Sequence, residues 1–223
     1  MRNPKVILAL DVASFREAKS YVKKLKKHLQ VFKVGSYLFT LCGPDIVKMI
    51  HDEGGDVFLD LKYHDIPNTV AKACEAAAKL GVFLVDVHTS GGEEMMVRAS
   101  EAVKSFGKKR PALIGVTVLT SDQNKKSVKN EVLKRTQLAL KCGLDGVVCS
   151  PWESSYLRQK IKKDFIIVNP GIRFPSSKKD DQKRIATPQD ALKAGASFLV
   201  IGRPLLEAKD PQSLLLSIPT LGA

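Results

Sequence analysis

Short apolar runs rich in β-branched and aromatic residues alternate with amphipathic stretches from one end of the chain to the other. Eight runs read as strands: residues 6–10, 31–34, 57–60, 83–87, 112–116, 146–149, 165–168 and 198–201. Between them the pattern changes to helical spacing. Ser14 is placed to cap a helix through Leu25, and helical patterning covers 44–51, 69–80, 93–105, 130–142, 152–160 and 188–194. A last helix begins near Pro204. Gly54-Gly55, Gly81, Gly143 and Gly195 mark helix ends, where a left-handed residue is wanted. Eight strand–helix units of roughly 28 residues each predict parallel strands joined by crossover helices. The expected fold is α/β, a single-domain (β/α)8 TIM barrel over residues 1–223. An open doubly wound sheet is the structural alternative. The longest irregular stretch, 169–187, has the length of a functional loop.

In such a barrel the chemistry sits at the C-terminal strand ends, and polar residues collect there. Strand one ends in Asp11, strand two holds Lys33, and strand three runs into Asp60-Leu61-Lys62-Tyr63-His64-Asp65-Ile66-Pro67-Asn68-Thr69. Strand alternation turns Asp60 and Lys62 the same way. Asp60 and Asp65 bracket Lys62, which favours its charged form and makes it a proton donor and fixed cation rather than a Schiff-base nucleophile. The bland reading is a surface ion pair. Strand four ends in Asp86, His88, Thr89 and Ser90, and strand five is followed by Thr117, Thr120 and Ser121. Gly171 and Arg173 after strand seven, with Gly202-Arg203 after strand eight, read as a phosphate site. Asp86 and His88 share a face, but they lack the third partner a metal needs, so a hydrogen-bonded strand-end histidine is the better reading. His64 shows no orienting partner. No glycine-rich dinucleotide or nucleoside triphosphate loop is present.

Composition narrows the class. Hydrophobic residues make up 44% and charged residues 26%, the balance of a soluble globular protein. No apolar run approaches the ~20 residues that cross a bilayer, and Asp11 interrupts the N-terminal apolar stretch before it could act as a signal peptide. A cytoplasmic location is expected. Cys42, Cys74, Cys142 and Cys149 form no paired or zinc-type spacing and read as reduced, mostly buried thiols. The net charge of +13 suits an anionic substrate. The lysines spread along helices without aromatic interleaving, so a solvated face is favoured over a nucleic-acid surface.

Several motifs together resemble orotidine 5′-phosphate decarboxylase, in its bacterial form, across nearly the whole chain. They are Leu8-Ala9-Leu10-Asp11-Val12, Phe32-Lys33-Val34-Gly35, the Asp60–Thr69 segment and Val87-His88-Thr89-Ser90-Gly91-Gly92, followed by Val116-Thr117-Val118-Leu119-Thr120-Ser121, Pro170-Gly171-Ile172-Arg173 and Ile201-Gly202-Arg203-Pro204. The resemblance implies conversion of orotidine 5′-phosphate to UMP and CO₂, the last step of de novo pyrimidine biosynthesis, with neither metal nor cofactor. Lys62 would donate the proton within an alternating array of Lys33, Asp60, Lys62 and Asp65. Asp11 and Lys33 would contact the ribose, and Thr120 and Ser121 the pyrimidine. Gly202 and Arg203, with Arg173 and Gln182, would hold the phosphate, and the Gln182 loop would close as a lid. Asp65, Ile66 and Thr69 would reach into the site of a partner subunit, so a homodimer is expected.

Two rival readings differ in class. A metal-dependent sugar-phosphate lyase or decarboxylase of the hexulose-phosphate synthase type shares the Asp-x-Lys-x-x-Asp element. Such enzymes are expected to carry an acidic residue where Lys33 stands. A basic nucleic-acid-binding protein would use the net charge instead, but the polar residues gathered at strand ends speak against it.

Overall fold

The computed structural model describes residues 3–118, 128–174 and 186–219. Eight parallel strands pair in chain order, and the last returns to the first, so the sheet closes. They are β1 (Asn3–Ala9), β2 (Leu29–Gly35), β3 (Asp56–Tyr63), β4 (Leu84–His88), β5 (Ala112–Val116), β6 (Gly146–Val148), β7 (Ile166–Asn169) and β8 (Phe198–Ile201). Helices cover the outside: α1 (Phe15–Leu25), α2 (Ser36–Cys42), α3 (Asp45–Asp52), α4 (Pro67–Lys79), α5 (Gly92–Lys104), α6 (Val128–Lys141), α7 (Pro151–Lys160), α8 (Pro188–Lys193), α9 (Arg203–Leu206) and α10 (Pro211–Leu216). The expected (β/α)8 barrel is therefore the observed architecture, and the open sheet is excluded.

Local chemistry sets the element ends. The Ser14 hydroxyl accepts the Glu17 N–H at 3.2 Å and starts α1, whose Ala18, Val22 and Leu25 face inward. Ser150 with Glu153, and Thr187 with Asp190, form reciprocal capping boxes at α7 and α8. Pro67 begins α4, two residues before the sequence pattern suggested, because a proline at the first helical position loses no hydrogen bond. Helix α2 was not anticipated. Its seven residues are mostly apolar, so they show no amphipathic contrast, and Tyr37 and Leu41 face outward while Leu38 is buried. The expected last helix is two short ones, α9 and α10.

The core has two compartments. One fills the barrel, with Ile7, Ala9, Val31, Phe58, Leu84, Ile114, Val168 and Val200. The other lies between strands and helices. Inward residues recur every second position along a strand. Two steps above Val31, Phe58 and Leu84 stand Lys33, Asp60 and Asp86. The alternation that builds the apolar plug thus carries three titratable residues inward above it. At the opposite rim Arg110 makes two 2.6 Å bonds to Asp145, which also accepts the Leu113 N–H at 2.8 Å. All four cysteines are free. Among the described residues, no helix is long and apolar enough to cross a membrane.

Ile114 is fully buried inside the barrel. Ile114→Ala should lower stability by about 2–5 kcal/mol, read from the urea midpoint with an unchanged slope. An unshifted midpoint would contradict a packed barrel interior.

Candidate active site

A cavity of about 290 Å³ opens at the C-terminal rim. Phe58, Val168 and Val200 of the plug form its floor, and Asp11, Lys33, Asp60, Lys62, Arg173 and Arg203 line it above. A larger groove of about 630 Å³ runs outside the barrel along α1 and α3, but it contains none of these residues. The rim cavity, where charge converges on an apolar floor, is the stronger candidate for chemistry.

Its centre is a chain of charges. Lys33 Nζ lies 3.3 Å from Asp11 Oδ1 and 3.2 Å from Asp60 Oδ2. Lys62 Nζ binds the other Asp60 oxygen. The Lys33 and Asp60 side chains are both nearly buried, whereas Asp11 is open to solvent. Burial pushes the Lys33 ammonium down, but the Asp60 and Asp11 carboxylates outweigh it and its pKa is raised. Burial likewise pushes Asp60 up. Lys33, a hydrogen bond with Asp86 and Lys62 together hold it below the ordinary carboxylate range. Both groups therefore keep their charge in a site that disfavours isolated charge. A Cβ on Gly35 would stand 3.2 Å from Lys33 Nζ, so a side chain here would crowd the ammonium and make it shift.

Lys62 reaches this array by a route that strand alternation does not describe. Its φ is +50°, in the left-handed region, and the β3–β4 register shifts between Leu59 and Tyr63. Such a backbone costs about 1–3 kcal/mol unless its surroundings hold it. Here the Lys62 N–H donates to Asp86 Oδ1 at 2.7 Å. Asp86 is fully buried, and no donor reaches its second oxygen. The sequence places Asp86 among the polar residues that end strand four and in an unconvincing metal pair, but gives it no role. The signal was present: an acidic residue inside the apolar run of β4, one strand over from Asp60.

The histidines beside the array also find partners. The His64 and His88 rings stack with centroids 5.4 Å apart, and His88 Nδ1 lies 2.7 Å from Ser90 Oγ. Burial lowers the His88 pKa, and His64, Arg135 and Lys62 add to the effect. His64 therefore has the orienting neighbour that the sequence did not show. Asp65 stands apart. Its Oδ1 accepts the Ile66 N–H at 2.6 Å, and among the described residues it makes no ion pair. Asp65, Ile66 and Thr69 are all exposed, and Ile66 keeps 66% of its surface open.

The far side of the cavity carries the arginines. Gly171 has φ +76°, which favours glycine, and it turns the chain so that Arg173 lines the cavity while almost buried. Arg173 Nη1 donates to the Ile172 carbonyl at 3.1 Å. Gly202 passes so close to β1 that a Cβ would lie 3.3 Å from both Ala9 Cβ and Asp11 Oδ2. Arg203 is exposed at the mouth. The helix expected to offer backbone donors here is only the four residues of α9, and Pro204 has no N–H. Anion binding at this point would thus fall to the guanidinium groups and at most the Gly202 and Arg203 amides. Thr120, Ser121 and Gln182 lie outside the described residues. Among the described residues, no three His, Cys, Asp or Glu side chains gather into a set that could hold a metal.

Comparison with known proteins agrees with this geometry. The model of the orotidine 5′-phosphate decarboxylase / HUMPS family matches residues 4–218, and the chain belongs to that family. It is 48% identical to an orotidine 5′-phosphate decarboxylase of Vibrio cholerae serotype O1, covering 96% of each chain. It is also 48% identical to one from Pseudoalteromonas atlantica, with the same coverage. Among solved structures, the orotidine 5′-phosphate decarboxylase of Lactobacillus acidophilus superposes with a TM-score of 0.82 at 36% identity, covering 96% of this chain and 97% of that one.

Lys33, 3.2 Å from Asp60, makes the largest contribution to keeping charged a carboxylate that burial would otherwise neutralise. In Lys33→Met the Asp60 pKa should rise, as followed by the pH dependence of its carboxyl carbon resonance. A titration unchanged from wild type would show that Lys33 does not hold the charge on Asp60.

Proposed function

We propose that this chain decarboxylates orotidine 5′-phosphate to UMP and CO₂ without a metal or cofactor. The observation that carries the reading is the Asp60 carboxylate, buried between the Lys33 and Lys62 ammoniums at the barrel rim, in a chain of this family. Breaking the bond between C6 and its carboxylate leaves the electron pair on a ring carbon with little resonance help. Fixed positive charge and a proton must then come from the protein. Lys62 supplies both: its ammonium faces the developing carbanion and then transfers a proton to C6, and solvent restores it. Asp60 faces the substrate carboxylate, and the repulsion between them is relieved as neutral CO₂ leaves.

The remaining roles are those that the family resemblance implies. Asp11 and Lys33 meet the ribose, and Thr120 and Ser121 the pyrimidine. Gly202 and Arg203, with Arg173 and Gln182, hold the phosphate, so that binding energy gained far from C6 aligns the reacting end. The 169–187 loop carries Gln182 and closes over the bound nucleotide. Asp65, Ile66 and Thr69 serve the site of a second subunit in a homodimer. Their outward position and the exposed Ile66 side chain support that reading, because an apolar side chain of that size is better placed against a partner than in water.

Loss of orotidine 5′-phosphate absorbance should be fast with wild type and unchanged by a chelator. Lys62→Ala should lower the rate by several orders of magnitude, since proton and charge vanish together. A chelator-sensitive wild type, or a Lys62→Ala variant of near-normal rate, would sink the mechanism. Mixing inactive Lys62→Ala with inactive Asp65→Ala should restore part of the activity through hybrid dimers. With subunit exchange verified, no recovery would mean that each site is built from one chain.

A further inference from the structure

The charge array explains Asp11, Lys33, Asp60 and Lys62 but leaves Asp86 unused, although it is the most deeply buried acid beside them. One oxygen accepts the Lys62 N–H at 2.7 Å. The other is buried without a donor. Its neighbour across the β3–β4 pairing is a second carboxyl, Asp60, since the two acids stand two residues beyond the paired Phe58 and Leu84, and each perturbs the other. Two carboxylates cannot bond to each other, whereas a carboxylic acid and a carboxylate can. Deepening the decarboxylase reading, on which it rests, we propose that Asp86 is a positioning residue: a neutral acid whose O–H donates to Asp60 while its other oxygen accepts the Lys62 N–H. One side chain then fixes both partners of the central ion pair. It aims Asp60 and pins the left-handed backbone that delivers the Lys62 ammonium.

The surroundings fit a neutral acid. Asp60 and Lys62 face it from β3, and the same strand adds Tyr63. Cys74 faces it from α4, and His88 follows two residues on along β4. Tyr63 and Cys74 are each pushed up to about 12, chiefly by burial, so neither ionises near neutrality. Burial and the adjacent Asp60 raise Asp86 well above the ordinary carboxylate range, and Lys62 offsets only part of this. With Asp86 neutral, the ions number two of each sign: Lys33 and Lys62 against Asp11 and Asp60. Ionised, it would place a second negative charge against Asp60 with no added cation.

The sign for stability follows from the raised value. The contribution of Asp86 is fully present below the unfolded carboxyl value of about 3.9 and is lost as pH rises through the folded value. Asparagine keeps the acceptor and the donor but never ionises. Asp86→Asn should therefore hold kcat/KM within about tenfold of wild type at neutral pH. It should also gain stability relative to wild type as pH rises above the unfolded carboxyl value of about 3.9, read from urea midpoints. Asp86→Leu, similar in size but unable to bond, should lose about 100-fold in kcat with KM changed only a few-fold, because the reacting groups lose their aim while phosphate binding remains. If Asp86→Leu does not fold, the carboxyl resonance of Asp86 in wild type gives the answer: it should report a protonated acid at pH 7. An ionised Asp86 in that spectrum, an Asp86→Asn variant as impaired as Asp86→Leu, or a fully active Asp86→Leu would each overturn the proposal. A wild type that does not consume orotidine 5′-phosphate would instead defeat the decarboxylase reading, and the resonance would still decide the protonation of Asp86.

Discussion

Burying the Asp60 carboxylate is the constraint from which the rest of the site follows. Removing a carboxylate from water costs several kcal/mol even after relaxation, and only close, well-aligned partners offset it. The barrel supplies one from each side. Lys33 comes from β2, the strand paired with β3, and Lys62 comes from two residues further along the same chain. Neither arrangement is free. Lys33 lies against a glycine whose added Cβ would crowd it, and Lys62 needs a backbone bent into the left-handed region. An attraction of this kind stabilises less than it orients, because it is strongest only in one geometry.

The vertical order of the barrel separates fold from function. Apolar inward residues fill the lower layers and hold the strands together, while the next inward positions carry charge. The two are linked by a period of two, so a one-residue slip of register would turn plug and array together out of the barrel. The opposite rim is clamped independently through Arg110 and Asp145. Arg158 adds to it by donating to the carbonyls of Gly195 and Phe165. Strain at the upper rim is therefore borne by a scaffold whose lower end is already fixed.

Much of this was legible in the chain. Eight β-rich runs with helical stretches between them announce the barrel, and the rim positions of Asp11, Lys33, Asp60, Lys62, Arg173 and Arg203 follow from strand ends alone. The cavity brings these six together. Helix α2 escaped because seven mostly apolar residues carry no periodic contrast. The left-handed Lys62 escaped because local sequence gives no reason for a lysine to adopt it; the reason is Asp86, 24 residues away. The weight of Asp86 itself is a three-dimensional fact, since a single acid in a strand gains meaning only from what it faces. Asp65 joins the array only through the family resemblance, which also sends it to a partner's site, and within this chain it is exposed.

The two glycines that crowd the site, Gly35 and Gly202, bear on how far this protein could be hardened against heat. Replacing glycine by alanine is a common route to a higher melting temperature, because it removes freedom from the unfolded chain. Neither glycine has a left-handed φ, so each looks open to that exchange on backbone grounds. Space forbids it. The added methyl would meet the Lys33 ammonium at one position and Ala9 with the Asp11 carboxylate at the other, at 3.2–3.3 Å. The looseness that these glycines lend to the unfolded chain is the cost of bringing charges into contact at the rim, and heat resistance would have to be sought in the helices and the lower clamp.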